Sequence, residues 1–224
     1  MHREDKLGHG AGKVQRLQPD TPPARRIPLS RRSHIIGFQS LPAGTACHES
    51  ALERDFVTLT SFLYPSSVIR SQPITIDFED HGCRRRYTPD FLVTSASSVE
   101  FVEVKYEFDL KTHWGTLAPA FAAADEWAAE HHGAFRIATE RDIRGGVLDN
   151  AKRLLSLRRL PIDAKMAMRL LTCAHTHTRP TFRSLLLAVP DRKIALATVW
   201  RLIARGSLRT DLSIPITLDT ELSP

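Results

Sequence analysis

Two neighbouring segments of the sequence carry residue types that together can cleave a phosphodiester bond. Asp90 follows Pro89 in one segment, and Glu103 and Lys105 stand two positions apart in the next. Alternate side chains of a β-strand share a face, so a strand here places Glu103 and Lys105 together. A preceding strand that carries Asp90 sets a second carboxylate beside Glu103, and such a pair suits Mg²⁺. The metal would polarise the phosphate and activate water, while Lys105 orients that water or stabilises the developing negative charge.

Each of these signals also has an ordinary structural interpretation. A Pro-Asp pair usually marks a turn, and a Glu-x-Lys pair on an exposed strand is an ion pair worth less than about 1 kcal/mol. The residues around Asp90, Glu103 and Lys105 are largely apolar, which marks both strands as central and buried. Unpaired charges there would cost several kcal/mol unless a metal or partner compensates them. Burial therefore favours a functional site.

The elements that position these residues follow from the spacing of apolar side chains. Apolar residues recur at intervals of four, three and four from Leu52 to Leu63, which predicts a helix that ends before Pro65. The remaining pattern predicts strands at residues 73–78, 87–93 and 99–104, a helix at 116–131, a strand at 135–139 and a helix at 147–157. Helices alternating with short strands in this order predict an α/β sandwich.

The two ends of the chain are basic, whereas the middle is acidic. The net charge is +5 over residues 1–32, −3 over residues 33–160 and +4 over residues 161–224. Basic flanks attract polyanions, and an acidic interior segment is consistent with a cation site. Residues 1–46 hold five prolines and little apolar periodicity, which predicts an extended N-terminal arm.

The pattern of apolar and polar residues changes after Pro161. Residues 165–173, 181–189 and 192–205 predict three helices, and residues 207–212 with 214–218 predict a short β-ribbon. Three helices and a ribbon are typical of a winged helix, whose third helix here carries the predicted DNA-binding residues Arg192, Lys193, Arg201 and Arg205. The alternative is a small helical extension that packs on the main domain.

Composition excludes several classes of protein. The 224-residue chain is 42% hydrophobic and 25% charged, which is ordinary for a folded protein. It has no run of eighteen apolar residues and no apolar stretch near its N-terminus, so we expect a cytoplasmic protein with no membrane contact. Its three cysteines are widely spaced, which predicts free thiols rather than a disulfide framework or a zinc site.

The motifs from Glu49 to about Arg158 resemble a known family as a set. They are Glu49-Ser-Ala-Leu-Glu-Arg-Asp-Phe, Gln72-Pro, Arg86-Tyr-Thr-Pro-Asp-Phe-Leu-Val, Val102-Glu-Val-Lys and Phe135-Arg-Ile-Ala-Thr-Glu-Arg-Asp-Ile-Arg. The set resembles the PD-(D/E)xK nuclease superfamily and, more narrowly, TnsA, the endonuclease subunit of heteromeric bacterial cut-and-paste transposases. The resemblance implies a restriction-endonuclease-like core, in which a mixed central sheet is flanked by helices. It also implies Mg²⁺-dependent cleavage of double-stranded DNA at transposon ends, with Mn²⁺ as a substitute.

The resemblance also implies roles for individual residues. Glu53, Asp90, Glu103 and Lys105 are the expected catalytic residues, and Glu53, Asp90 and Glu103 are the expected metal ligands. Glu49, one helical turn before Glu53, is the rival for the helix acid. Glu103 stands where some TnsA proteins have Gln, so its share in metal binding is less firmly implied than that of Asp90.

The implied partners are transposon-end DNA, a TnsB-like integrase-type transposase subunit and a TnsC-like ATPase regulator. The predicted organisation is a basic arm at 1–46, a nuclease domain at 47–160 and a winged-helix-like domain at 161–224 that binds DNA or a protein partner. Two other functions stay open at this point. One is a stand-alone repair, restriction or junction-resolving nuclease, and the other is a DNA-binding assembly module with a vestigial site.

Overall fold

The structure is a computed structural model, and it describes residue 24 and residues 37–41 and 44–224. The strands are β1 Gly37–Leu41, β2 Gly44–His48, β3 Val68–Ser71, β4 Ile76–Asp80, β5 Cys83–Tyr87, β6 Phe91–Thr94, β7 Val99–Val104 and β8 Ala134–Ala138. The helices are α1 Ala51–Leu63, α2 Glu107–Glu130, α3 Glu140–Ile143, α4 Gly146–Leu154, α5 Ala164–Thr176, α6 Phe182–Leu187 and α7 Arg192–Ala204, with a 3₁₀ turn at Leu157–Arg159.

A four-stranded mixed sheet forms the centre of the fold, in the order β3-β6-β7-β8. Strands β3, β6 and β7 pair antiparallel, while β7 and β8 pair parallel because the long helix α2 returns the chain between them. Both faces of the sheet are covered. Phe91, Val102 and Val104 pack with Phe56 of α1 on one face, and Phe101 packs with Ala128 of α2 on the other. The predicted mixed sheet flanked by helices is confirmed.

Helix α1 begins and ends where its sequence signals lie. The Ser50 side chain caps its N-terminus by accepting a hydrogen bond from the Glu53 backbone N–H at 3.1 Å. The helix ends at Leu63, two residues before Pro65, because the residue that precedes a proline is disfavoured in the helical conformation. This helix sets Glu53 in its first turn, next to the sheet.

The region before Asp90 differs from the prediction of one strand at 87–93. The chain forms two strands there, β5 and β6, with Pro89 between them. Proline has no N–H to donate to a sheet, so it separates the two strands. Among the described residues, strand β5 pairs only with β4, in a hairpin outside the central sheet. Strand β3, which the sequence pattern did not reveal, takes the place beside β6.

The described end of the predicted N-terminal arm is a hairpin rather than an extended arm. Strands β1 and β2 pair antiparallel from Gly37 opposite His48 to Leu41 opposite Gly44. The buried Ala46 of β2 joins the core of the sheet, which explains why this segment is ordered against the domain. The Ala24 N–H also donates to the Gln72 carbonyl at 2.8 Å, and the remaining residues of the arm lie outside the described residues.

The C-terminal segment contains the three predicted helices but not the predicted ribbon. Residues 207–212 and 214–218 form no strands, and the pairing in this segment consists of isolated antiparallel bridges between Thr181 and Glu221 and between Arg209 and Ser223. Within the part of the chain that the structure describes, no helix combines the length and the apolar composition needed to cross a membrane.

The core of the C-terminal segment continues into the first domain. Phe62 of α1 and Ala151 and Leu154 of α4 are buried in the same cluster as the apolar residues of α5, α6 and α7. The loop after α7 also lies directly against α4, since a Cβ atom at Gly146 would be 1.8 Å from the Ser213 carbonyl oxygen. Residues 161–224 therefore have a core distinct from the one around the central sheet, and α1 and α4 contribute buried residues to it.

Candidate active site

One cleft brings together the four residues that the sequence singled out. Its volume is about 710 Å³, and Glu53, Asp90, Glu103 and Lys105 all line it. Glu53 comes from the first turn of α1, Asp90 immediately precedes β6, Glu103 lies near the end of β7, and Lys105 immediately follows β7. The cleft therefore lies where one end of the sheet meets the N-terminal ends of α1 and α2.

Asp90 is fixed by the backbone of the neighbouring strand. Its Oδ2 atom accepts a hydrogen bond from the Val104 N–H at 2.8 Å. Burial raises the pKa of Asp90 well above its ordinary value, and the nearby charges of Glu103 and Glu53 raise it further. The hydrogen bond from Val104 and the charge of Lys105 act in the opposite direction without reversing the shift. The ionised form of Asp90 is therefore unfavourable in the folded protein unless a cation compensates it.

Glu103 is the most enclosed of the carboxylates, with 3% of its surface exposed. Both of its oxygens are engaged. The Tyr87 hydroxyl donates to Oε2 at 2.6 Å, and the Lys105 Nζ donates to Oε1 at 2.6 Å. These charge-assisted bonds hold Glu103 and Lys105 on one face of β7, as the strand alternation predicted.

Lys105 remains protonated at neutral pH. Burial lowers its pKa, but the charges of Glu103, Asp90 and Asp109, together with its hydrogen bond to Glu103, outweigh that effect and raise the pKa above its ordinary value. An ammonium with a raised pKa is a poor base. The arrangement favours Lys105 as a fixed positive charge beside the carboxylates.

The two acids of the α1 N-terminus both line the cleft, but they differ in their contacts. Oε2 of Glu53 accepts a hydrogen bond from the Glu49 N–H at 2.7 Å, so the carboxylate folds back over the start of the helix. Burial raises the pKa of Glu53, and the charges of Glu49 and Glu103 add to this. Glu53 also contributes to the raised pKa of Asp90. Glu53 is therefore electrostatically coupled to the other site carboxylates.

The residues present fit a cation, although the fit is not a preformed cage. Among the described residues, no group of three or more His, Cys, Asp or Glu side chains is arranged to hold a metal ion. Mg²⁺ needs only one or two protein carboxylates, because it keeps several of its waters. Asp90, Glu53 and Glu103 surround one cleft, and the first two have pKa values raised partly by neighbouring negative charge, which a cation would relieve.

Sequence reasoning missed the orienting role of Tyr87. This residue ends β5, and its ring packs edge-on against Phe121 of α2 at 5.8 Å. Its hydroxyl reaches Glu103, and its pKa is raised by burial and by the charge of Glu103. The available signal was a tyrosine three residues before Asp90, since a buried tyrosine usually finds a hydrogen-bond partner.

The predicted DNA-binding residues fall into two groups. Arg192 and Lys193 are exposed in the first turn of α7. Arg201 donates to the Pro161 carbonyl at 2.7 Å, and Arg205 donates to the Leu160 carbonyl at 2.6 Å and to a second carbonyl of the same segment. These last two arginines fasten α7 to the segment that joins the two regions, so they have a structural role that the charge pattern did not indicate.

A family comparison covers the centre of this site. Residues 67–140 match the family model described as the TnsA-like endonuclease N-terminal domain. The match includes Asp90, Glu103 and Lys105 and begins after Glu53. A search of curated proteins found no match. The residues of the cleft are consistent with the PD-(D/E)xK superfamily, and residues 67–140 of this chain are similar to the TnsA-like endonuclease N-terminal domain.

Proposed function

We propose that this protein is a metal-dependent DNA endonuclease that cleaves phosphodiester bonds at transposon ends during cut-and-paste transposition. One observation carries the proposal above the others. Asp90, Glu103 and Lys105, which were selected from residue type and spacing, line a single cleft with Glu53, which the family resemblance implied, and the first three lie in the segment that matches an endonuclease family model. A vestigial site has no need to keep three carboxylates and an ammonium at one cleft.

Asp90, Glu103 and Glu53 are the residues that would hold Mg²⁺ or, in its place, Mn²⁺. When bound, the metal supplies Lewis-acid stabilisation of the negative charge that develops on the phosphate. Asp90 is the strongest candidate ligand, because only its Oδ2 atom takes part in the hydrogen bond to Val104. Glu103 would contribute oxygens that Tyr87 and Lys105 already orient.

Lys105 supplies a second positive charge at the site, which comes from the protein and not from the metal. Its raised pKa keeps the ammonium charged, and its bond to Glu103 fixes the direction in which it points. A fixed cation beside the phosphate stabilises the charge that develops in the transition state more than the charge of the substrate. Tyr87 assists indirectly by holding the second oxygen of Glu103.

The partners follow from the family rather than from the cleft. We propose that the protein acts on double-stranded DNA with a TnsB-like integrase-type transposase and a TnsC-like ATPase regulator. The bridges from Thr181 to Glu221 and from Arg209 to Ser223 support a winged-helix-like arrangement, because they join the segment before α6, the segment after α7 and the chain end. Arg192 and Lys193 are the C-terminal residues best placed to contact DNA.

The test is cleavage of transposon-end DNA by the protein with its transposase and ATPase partners. Wild type should cut with Mg²⁺ or Mn²⁺ and should be inactive in chelator. Asp90→Asn should abolish cleavage, whereas the matched control Asp125→Asn, an exposed carboxylate of α2 outside the cleft, should cut like wild type.

Full activity of Asp90→Asn would show that the site assignment is wrong. Cleavage that persists in chelator would contradict the metal dependence. Efficient cleavage without the partners would instead support the second function considered above, a stand-alone nuclease of the same fold.

A further inference from the structure

A second concave site lies on another side of α1. It has a volume of about 580 Å³ and sits between the β1–β2 hairpin, α1 and α4. We call it the basic groove, because four cations line it and no Asp or Glu does among the described residues: Arg54, Lys152, Arg158 and Arg159. Nothing in the proposed cleavage chemistry uses it.

The charge of the groove exceeds what the fold requires. Asp55 lies buried beside it, with 6% of its side chain exposed. Three cations approach this one carboxylate: Lys152 Nζ at 2.9 Å, Arg144 Nε at 3.6 Å and Arg54 Nη2 at 3.8 Å. One close ion pair is enough to compensate a buried carboxylate, so the cluster keeps an excess of positive charge. Between 43% and 51% of each of the three cationic side chains is exposed, so this excess faces water.

The other two cations of the groove differ in their roles. Arg158 donates to the carbonyls of Ser61, Phe62 and Ala204, so it joins the ends of α1 and α7. Arg159 is exposed and makes no ion pair or side-chain hydrogen bond with the described residues. Among the groove cations, Arg159 and Arg54 therefore make the weakest contacts with the rest of the protein.

The basic groove is connected to the candidate active site. Glu53 and Arg54 are adjacent in α1, yet Glu53 lines the cleft and Arg54 lines the groove. Arg144 bridges the two sites, because its Nη2 donates to the Tyr106 hydroxyl at 2.9 Å and Tyr106 lines the cleft. Arg144, Lys152 and Arg54 all approach Asp55 and thus form a cluster of cations between the acidic cleft and the groove.

We infer that the basic groove binds the sugar–phosphate backbone of the duplex DNA that flanks the scissile bond. The inference rests on the proposed function for the identity of the ligand. Phosphates are the anions that a cluster of exposed cations beside a phosphodiester-cleaving cleft would meet first. The contacts carry no sequence information, so the groove positions DNA without selecting its sequence.

The test compares two double variants of the full chain in binding to a 30-bp duplex, in chelator so that cleavage does not interfere. Arg54→Ala with Arg159→Ala removes two groove cations. Arg153→Ala with Arg169→Ala is the matched control, because it removes two exposed arginines of α4 and α5 that do not line the groove. Circular dichroism and thermal unfolding verify that both variants fold.

The slope of log K against log[salt] is the readout. Each phosphate contact contributes about 0.9 to the slope, so the groove pair should reduce its magnitude by roughly 2 and the control pair should leave it near that of wild type. Equal slopes in all three proteins would overturn the inference, because Arg54 and Arg159 would then contact no DNA phosphate. Equal reductions in both double variants would also overturn it, because the effect would then be one of net charge.

Cleavage of transposon-end DNA by wild type is scored separately, in Mg²⁺ and with the transposase and ATPase partners present. A wild type that does not cut, with a reduced slope for the groove pair alone, would refute the proposed nuclease activity and support DNA binding at the groove. A wild type that cuts, with a wild-type slope for the groove pair, would support the proposed nuclease activity and refute DNA binding at the groove.

Discussion

Removal of the Lys105 side chain should destabilise the protein as well as inactivate it. Glu103 is 3% exposed, and its Oε1 lies 2.6 Å from Lys105 Nζ, so Lys105→Ala leaves a buried carboxylate without its cation. Breaking a buried ion pair in this way costs about 3–5 kcal/mol. The Tyr87 hydroxyl still donates to Glu103, and 29% of the Lys105 side chain is exposed, so the expected loss is about 2–3 kcal/mol.

A second substitution separates this charge effect from lost packing. Glu103→Gln together with Lys105→Ala removes the uncompensated charge, so the double variant should regain most of the lost free energy of unfolding. Lys111→Ala is the control. Its ion pair with Glu107 is longer, at 3.5 Å, and 76% of the Lys111 side chain is exposed, so its loss should be below about 0.5 kcal/mol.

Denaturant unfolding of the full chain measures these differences, and DNA cleavage measures activity in parallel. Lys105→Ala and the double variant should both lose at least about 100-fold in cleavage rate, because the fixed positive charge is absent from each. The reasoning is refuted if Lys105→Ala is as stable as wild type, or if the double variant is no more stable than Lys105→Ala. Either result would mean that Glu103 does not depend on this lysine for its burial.

Three further predictions concern substitutions of other residues. Asp90→Asn should raise Tm at neutral pH without metal, because the raised pKa of Asp90 makes its ionised form unfavourable in the folded state. The difference in Tm between the variant and wild type should shrink as pH falls through that pKa, and thermal unfolding across pH measures it. Tyr87→Phe removes a hydrogen bond to the charged Glu103 and should cost about 1.5–3 kcal/mol in denaturant unfolding, with a slower cleavage rate. Asn150→Ala removes two hydrogen bonds from the buried amide to the loop after α7 and should cost about 2 kcal/mol of unfolding free energy while the cleft residues stay in place.

The parts of the site that depend on local pattern could be predicted from the sequence. The apolar run from Val99 to Val104 forms β7 with the predicted bounds, and its alternation places Glu103 and Lys105 together as expected. The position of Asp90 beside them follows from the antiparallel pairing of β6 with β7. The alternation of side chains along a strand depends only on the local backbone conformation, so it can be predicted without knowledge of tertiary contacts.

Elements without a clear apolar pattern were not predictable. Helix α2 begins at Glu107 instead of residue 116, because its first turns are largely exposed and carry no apolar stripe. Strand β3 has four residues, which is too short for its alternation to stand out. The separate hairpin of β4 and β5 depends on the break at Pro89 and on packing against α2, and the second of these is a tertiary effect.

The roles of the arginines could not be read from charge alone. Arg201 and Arg205 were predicted to bind DNA from the basic character of the third C-terminal helix, yet they donate to main-chain carbonyls of residues 158–161. Phe62 and Leu154 in turn reach across the predicted domain boundary into the C-terminal core. Contacts between residues far apart in sequence decide these roles, and one sequence does not specify which carbonyls or cavities an arginine will meet.

The most direct test of the central claim is the anomalous scattering of Mn²⁺ in crystals of the full chain bound to duplex DNA. We expect an anomalous peak in the cleft, within coordination distance of an Asp90 carboxylate oxygen, with a DNA phosphate next to Lys105. Bound DNA with its phosphates away from this cleft, or a Mn²⁺ peak elsewhere and none at Asp90, would contradict the central claim.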